Sequence, residues 1–370
     1  MEKKRYQETG EQSFFGEYLY DRVVPEDHFL RKLKALIDWD RFTQKLIDLY
    51  KGEGVVGRPP FDPALLLRVE LIAFLYNLSE REVEIYINDC LSAKYFVGLA
   101  IDEGAPDHST LTRFRERLIS RGKLKIFEEM LQEIIGIAVE RGIKFGSIQV
   151  IDSVHTVANV NTQKERKRHK GGKGPRDPDA QWGVKHQRKF KNDKGEDVSQ
   201  MEYFLGYKMH TSMNAGNGLI TSLEVSPGNA YDGHHFCPLV DHDLDQDLDI
   251  DTYTADRGYD DGNNHYYLQH HHLNSAIRLK DNRTHKKDSH KQPWLDILDT
   301  PMYHEGLLER YKIERKFGEA KQGHGLGRCR YLSLMGYAVQ AYFTAMVLDL
   351  KRIVKILTGI GFKTSGLATA

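Results

Sequence analysis

The segment from Ser147 to Val160, SIQVIDSVHTVANV, constrains the fold more than any other part of the chain. Its β-branched residues predict a strand, and Asp152 lies in the middle of it. Burying a carboxylate in so apolar a strand is costly unless the carboxylate has a partner. The sequence therefore predicts that the fold brings other functional groups to Asp152.

The chain before this strand is predicted to be helical, over residues 1 to about 145. Asp62 followed by Pro63 is typical of a helix start, because Asp can cap the helix and Pro suits its first position. Ser79 and Glu82 have the spacing of a capping box. These signals predict several short helices in the first part of the chain.

One of these helices, PDHSTLTRFRERL, combines an apolar stripe with three arginines. Arg113, Arg115 and Arg117 are therefore candidate DNA contacts, and short helices around a tight turn are compatible with a helix-turn-helix DNA-binding domain. The alternative is an ordinary helical bundle with a solvated basic face. Periodicity alone favours the bundle.

The pattern after Gly142 changes to three strands followed by helix, strand, helix, strand and helix. This order predicts an α/β domain with a mixed sheet covered by helices. It is also the order of elements in the ribonuclease-H-like fold.

Residues 161–200 interrupt the strands with a run rich in lysine, arginine, glycine and proline, which predicts a flexible basic insertion. Basic clusters here could contact phosphates, although such runs are more often solvated loops. Trp182 lies among them and is expected either to stack on an unpaired base or to pack against the protein.

Two further acids are expected near Asp152. Asp256 ends the strand DTYTAD, and strand ends are where open α/β sheets place reactive groups. Glu314 lies on the predicted helix LLERYKIERKFGEAK. Carboxylates from two strands and a helix would form an oxygen-rich site suited to Mg²⁺ or Mn²⁺.

The helix that carries Glu314 also places cations on the same side. At about 100° per residue, Arg310, Glu314 and Lys321 lie within roughly 40° of one another, together with Phe317. Two cations beside a carboxylate suit an anionic substrate at a metal site. For Arg310 and Glu314 alone, a surface ion pair between residues i and i+4 is the better interpretation.

Composition excludes several classes of protein. The 370 residues are 40% hydrophobic and 29% charged, and the 53 basic residues balance the 53 acidic ones. Three separated cysteines predict neither a zinc finger nor a disulfide framework. The charged N-terminus lacks the pattern of a signal peptide, and no membrane span is expected, so a cytoplasmic protein is predicted.

The three acids and their surroundings resemble the DDE transposases of bacterial insertion sequences, over nearly the whole chain. The family signature is Tyr, two residues, Arg, three residues, Glu, six residues and Lys. Arg310, Glu314 and Lys321 match its spacing, and Leu307 lies at the tyrosine position. The other similar segments are VIDSVHTVAN, GYKMHTSMNAGNGLITSLEVSPGNAYDGHHF, TADRGYDD, GRPPFDPALLLRVELIAFLYNLSEREVE and PDHSTLTRFRERL.

The resemblance implies a DNA-binding helical domain at residues 1–145, a ribonuclease-H-like catalytic domain at 146–358 and a tail at 359–370. It implies that Asp152, Asp256 and Glu314 hold Mg²⁺ or Mn²⁺, two ions in all, while DNA ends are cut and joined to target DNA. It also implies that Arg310 and Lys321 hold phosphates. Joining two DNA ends suggests a homodimer on DNA, associated with the bacterial nucleoid.

Two related functions remain open at this stage. One is a ribonuclease-H-like nuclease that cuts without joining, and the other is a transposase-derived DNA-binding protein without activity. The presence of all three acids counts against an inactive protein. A protein of similar architecture that does not bind DNA is a third alternative.

Overall fold

The structure, a computed structural model, describes residues 6–7, 14–50, 59–191, 195, 197–281 and 294–363, with the backbone alone at 14–17, 169–170 and 186–190. Two compact units are present. The first contains the N-terminal residues through Ile143 together with the chain from Tyr342 onwards, and the second runs from Lys144 to Ala341. The predicted catalytic domain, 146–358, differs from this division because residues after Tyr342 pack within the first unit.

The first unit is helical in its N-terminal part, as expected. Asp62 caps the helix that begins at Pro63 by accepting a hydrogen bond from the Ala64 amide, and Ser79 and Glu82 form the predicted capping box. The helices are α1 (Phe14–Val23), α2 (Phe29–Leu36), α3 (Asp40–Leu46), α4 (Pro63–Leu75), α5 (Glu80–Asp89), α6 (Leu91–Val97), α7 (His108–Arg117) and α8 (Lys123–Glu140).

Helix α4 is buried along its whole length and still carries a carboxylate, Glu70. Arg115 of α7 neutralises it, with 3.0 Å between the guanidinium and the Glu70 carboxylate. The same guanidinium also binds Glu80 at the start of α5. Arg115 is thus a buried cation that joins three helices, because a charge buried in an apolar core needs a partner.

A mixed sheet lies at the centre of the second unit. The strands are β1 (Ile148–Val157), β2 (Gln181–Lys191), β3 (Asp197–Asn214), β4 (Ile220–Pro227), β5 (Thr252–Ala255) and β6 (Asn274–Ile277). The core order is β4-β3-β1-β5-β6, with β3 antiparallel to β1 and β4, and with β5 and β6 parallel to β1 and to each other. This confirms the predicted mixed α/β fold, in the ribonuclease-H-like order.

The basic insertion differs from the expected flexible segment. It contains helix α9 (Thr162–Lys170) and the long antiparallel pair of β2 with the first half of β3. Gly206 marks the point where β3 passes from β2 to β1, and its backbone lies so close to β1 that an added Cβ would be 2.0 Å from the Thr156 carbonyl oxygen. Residues 192–194 and 196 of the predicted insertion lie outside the described residues.

The remaining helices are α10 (Phe236–Leu244), α11 (Gly262–His270), α12 (Pro301–Glu309), α13 (Tyr311–His324) and α14 (Leu334–Thr358). The first four of them, α10 to α13, pack against strands of the sheet. Gly306 lets α12 approach β5 and β6 closely, since a Cβ there would be 2.4 Å from the Ala276 Cβ. The single helix predicted around Glu314 is two, α12 and α13, which meet at Arg310.

Across the described part of the chain, no helix has the length and apolar character that crossing a membrane requires.

Candidate active site

Two of the three predicted acids lie side by side because of strand register. In the parallel pair of β1 and β5, Ile151 is opposite Ala255. The next residue on each strand is an aspartate, Asp152 on β1 and Asp256 after β5. Neighbouring strands are about 4.8 Å apart, so the register brings the two carboxyl groups together at the end of β5 and halfway along β1.

Local hydrogen bonds fix both carboxyl groups. Asp152 accepts from the Ser153 amide at 2.8 Å, and Asp256 accepts from the Gly258 amide at 2.7 Å, which starts a short helical turn. Burial and the neighbouring Asp256 raise the pKa of Asp152 to about 7, with Arg310 acting in the opposite direction. Arg310 therefore lies close enough to stabilise the charged form of Asp152.

A third aspartate, Asp232, lies beside the pair and was not assigned a role from the sequence. Its carboxylate accepts hydrogen bonds from the Ser153 hydroxyl at 3.2 Å and from Lys208 Nζ at 2.7 Å. It also contributes to the raised pKa of Asp152. The signal in the sequence was the aspartate that follows the Pro-Gly-Asn turn after β4, within the segment resembling the family hairpin.

Tyr259 lies close to the three aspartates. Its ring is fully buried, and burial together with Asp152, Asp232 and Asp256 raises the pKa of its hydroxyl well above the ordinary value. A neutral phenol therefore lies among three carboxyl groups. The phenol adds no negative charge to them.

The side chain of Glu314 is exposed, unlike those of the two aspartates. It lies on α13, which packs against β1. Arg310 precedes it by one turn, and among the described residues no ion pair joins the two side chains. Lys321 is half-buried near the other end of α13, where burial and the nearby Lys185 lower its pKa.

The three arginines proposed for DNA contact have different environments. Arg113 is exposed on α7, whereas Arg117 is half-buried with its guanidinium 4.5 Å from the centre of the Tyr50 ring. Arg115 is buried and bound to Glu70 and Glu80, so its charge is neutralised inside the protein. We therefore remove Arg115 from the predicted DNA contacts.

A separate acidic group lies at the start of α7. The ligand atoms of Glu84, Asp107 and His108 are close enough together to share a metal ion. Hydrogen bonds within the protein account for this proximity, because Asp107 caps α7 through the Ser109 amide at 2.6 Å and Glu84 accepts from the His108 amide at 2.9 Å. We assign these side chains to helix capping.

Two protein-family models match the chain. Residues 18–117 match the family described as Transposase domain (DUF772), and residues 144–350 match the one described as Transposase DDE domain. The second match includes all three predicted acids. The chain belongs to the DDE transposase family. It is a DNA transposase of the insertion-sequence type, an enzyme that cleaves DNA and transfers strands.

Among solved structures, the transposase is similar to a piggyBac transposase in a cryo-EM synaptic complex with hairpin DNA. The identity is 10% and the TM-score 0.43, over 90% of this chain and 74% of the other.

The donor set of this transposase fits the divalent metal on which its family depends. Asp152 and Asp256 offer hard carboxylate oxygens, which Mg²⁺ and Mn²⁺ prefer. Burial raises the pKa of Asp152 most and repulsion from Asp256 adds to it, and a divalent cation between the two groups would relieve that repulsion. The geometry thus suits an ion between the middle of β1 and the end of β5.

Proposed function

We propose that Asp152, Asp256 and Glu314 form the catalytic centre with which this transposase cuts the ends of its own element and joins them to target DNA. The placement of Asp152 beside Asp256 by the register of β1 and β5 carries the proposal. The pair lies where β5 ends, and the end of a strand is where open α/β sheets place reactive groups.

The metal would be held by Asp152 and Asp256 from the sheet and by Glu314 from α13. When bound, two Mg²⁺ or Mn²⁺ ions would supply the positive charge that activates the attacking oxygen and stabilises the leaving oxygen in phosphodiester cleavage. Because Glu314 is exposed, it is free to approach an ion that the two aspartates already bind.

The protein's own cations would hold the substrate. Arg310 lies near Asp152, where it can bind a phosphate at the reacting position. Lys321, farther along α13, can hold a phosphate of the same strand. The freed 3′-hydroxyl would then attack target DNA at the same centre.

The helical N-terminal part would bind the ends of the element. Arg113 is the exposed arginine of α7 and can reach a phosphate, with Arg117 beside it at the end of the helix. Since two ends must be joined, we propose that the transposase acts as a homodimer on DNA, associated with the bacterial nucleoid.

The decisive experiment is cleavage of DNA that carries both ends of the element, with Mg²⁺, with Mn²⁺ and with chelator. Asp152→Asn and Glu314→Gln should each abolish metal-dependent nicking at the ends while leaving end binding unchanged in a gel-shift assay. Glu319→Gln is the matched control, because Glu319 is also an exposed glutamate of α13.

The possible results separate the proposals. Metal-dependent cutting by Asp152→Asn would refute the assignment of the catalytic acids. Cutting without joined products would indicate a nuclease, and binding without cutting by the wild type would indicate an inactive copy. Sedimentation of the complex with DNA tests the homodimer.

A further inference from the structure

The hairpin of β2 and β3 presents an exposed aromatic surface that the cleavage chemistry does not use. Trp182 pairs with Leu205 and Val184 pairs with Tyr203, so these four side chains lie on one face of the hairpin. Trp182 is 39% exposed, Val184 49% and Tyr203 57%. We call these four residues the Trp182 face.

A cavity of about 680 Å³ lies against the Trp182 face. This volume is within the range of sites for small organic ligands, which is roughly 300–1,000 Å³. Trp182, Tyr203 and Leu205 line it from the hairpin, and residues of α9 and of the following loop, including Pro175 and Pro178, line the rest. The site thus combines flat aromatic rings with a polar border.

The cations on that border are available to an anion, whereas the acids are not. Arg166 and Lys173 line the cavity and are exposed, and the Arg166 guanidinium lies 5.1 Å from the centre of the Trp182 ring. Glu165 accepts a hydrogen bond from the Arg176 amide at 3.1 Å and lies 3.9 Å from Arg168.

The other acid of the lining, Asp177, is also committed to the protein. It is buried and accepts hydrogen bonds from the Tyr207 hydroxyl at 2.6 Å and from the Ser333 amide at 3.2 Å. Lys164 and Lys167 add exposed positive charge on the adjoining turns of α9. The border of the cavity is therefore positive toward solvent.

We propose that the Trp182 face binds single-stranded DNA, with an unpaired base stacked on Trp182 and Tyr203 and its phosphates at Arg166 and Lys173. An aromatic platform beside cations matches the two exposed parts of such a strand, the base faces and the phosphates. In duplex DNA the base faces are covered by neighbouring base pairs, so duplex cannot use the platform.

The test measures binding of a labelled single-stranded oligodeoxynucleotide of about ten nucleotides, a length typical of single-strand sites. The same oligonucleotide with abasic positions keeps the phosphates but lacks the bases. Trp182→Ala and Tyr203→Ala should each weaken binding of the normal oligonucleotide about tenfold, as loss of one stacked base predicts. Trp182→Phe should restore most of the affinity, and neither alanine variant should change binding of the abasic oligonucleotide.

Tyr266→Ala is the control, because Tyr266 is 68% exposed on α11, outside the Trp182 face. Wild-type affinity in Trp182→Ala, or equal affinity of the wild type for normal and abasic oligonucleotides, would overturn the inference. The inference rests on the proposed function only in taking DNA as the nucleic acid. The two proposals can fail separately. If the wild type cleaves duplex ends, loses this cleavage in Asp152→Asn and yet binds no single-stranded DNA, the inference is overturned and the proposed function stands.

Discussion

Arg113 and Arg115 are two residues apart on α7, but we expect Arg113 to contact DNA and Arg115 to stabilise the helical core. Replacing Arg115 with Ala would remove the guanidinium that lies 3.0 Å from the Glu70 carboxylate, which is 1% exposed. Removing one partner of a buried ion pair costs about 3–5 kcal/mol, because the remaining charge loses that partner and stays buried. Arg115→Ala should therefore lower the free energy of unfolding of the helical unit by about that amount.

Urea unfolding measures this loss if the signal comes from the helical unit alone. Trp39 lies in that unit and packs edge-on against Phe96 of α6. In a background with Trp182→Phe and Trp294→Phe, tryptophan fluorescence follows Trp39 only, since the chain has three tryptophans.

Two further variants test the reasoning in that background. Adding Glu70→Gln to Arg115→Ala should recover part of the lost stability, because a neutral amide is less costly to bury than a carboxylate. Arg113→Ala should change stability by less than about 0.5 kcal/mol, as an exposed substitution does. It should instead weaken binding to the element's ends and reduce the slope of log affinity against log salt by about 0.9, the value for one phosphate. An unchanged urea midpoint in Arg115→Ala would refute the argument from burial, and an unchanged salt slope in Arg113→Ala would remove Arg113 from the DNA contacts.

Three other predictions follow from the second unit. Protons compete with metal for Asp152, whose pKa is raised to about 7, so the rise in melting temperature caused by Mg²⁺ should be small at pH 5 and grow as the pH increases through about 7. Asp152→Asn should remove most of that increase in a thermal-shift titration; a pH-independent effect in the wild type would contradict the site. Lys321→Ala should raise KM for DNA ends more than it lowers kcat in steady-state cleavage, and the reverse pattern would indicate a role in the chemical step. Gly306→Val should destabilise the protein by about 1–3 kcal/mol in urea unfolding, since its side chain would overlap Ala276, and wild-type stability would contradict the close packing of α12 on the sheet.

The parts of the fold that the sequence predicted are those specified by neighbouring residues. Asp62 with Pro63, and Ser79 with Glu82, encode helix starts within a few positions, and both are present as predicted. The expectation that Asp256 lies near Asp152 came from the rule that open α/β sheets place reactive groups at strand ends. The register that sets the end of β5 beside the middle of β1 is a property of the folded sheet.

The hairpin of β2 and β3 was missed because its sequence does not resemble a half-buried strand. One face of β2 carries Trp182 and Val184, but both remain exposed, and the alternation of polar and apolar residues is diluted by lysines and arginines. Composition predicted a flexible segment here, yet backbone pairing with β3 and the contact of Asp177 with Tyr207 hold this part of the chain in a defined structure.

Helix geometry could have separated the arginines of α7 before the structure was known. Arg113 and Arg117 are about 40° apart around the helix, whereas Arg115 lies about 160° from each of them, so the three cannot face one DNA surface. The second signal was Glu70, a carboxylate inside the apolar segment LLLRVELIAFL, which required a buried cation from elsewhere in the chain. What the sequence could not provide is which cation, because that depends on how α4, α5 and α7 pack.

At the candidate active site, too, some positions are set by local backbone structure and others depend on how the elements pack. The backbone fixes Asp152 and Asp256 before any ion or DNA arrives, through the register of β1 and β5 and a hydrogen bond to each carboxylate. Glu314 is exposed on a helix, so its position relative to the two aspartates is the most readily adjusted of the three. Asp232 is paired with Lys208 at 2.7 Å, so we propose Asp152 and Asp256, rather than Asp232, as the ligands of the divalent cation. We therefore expect substitution of either Asp152 or Asp256 to remove metal binding. Glu314→Gln should leave most of the metal binding in place and should act mainly by reducing the rate of cleavage.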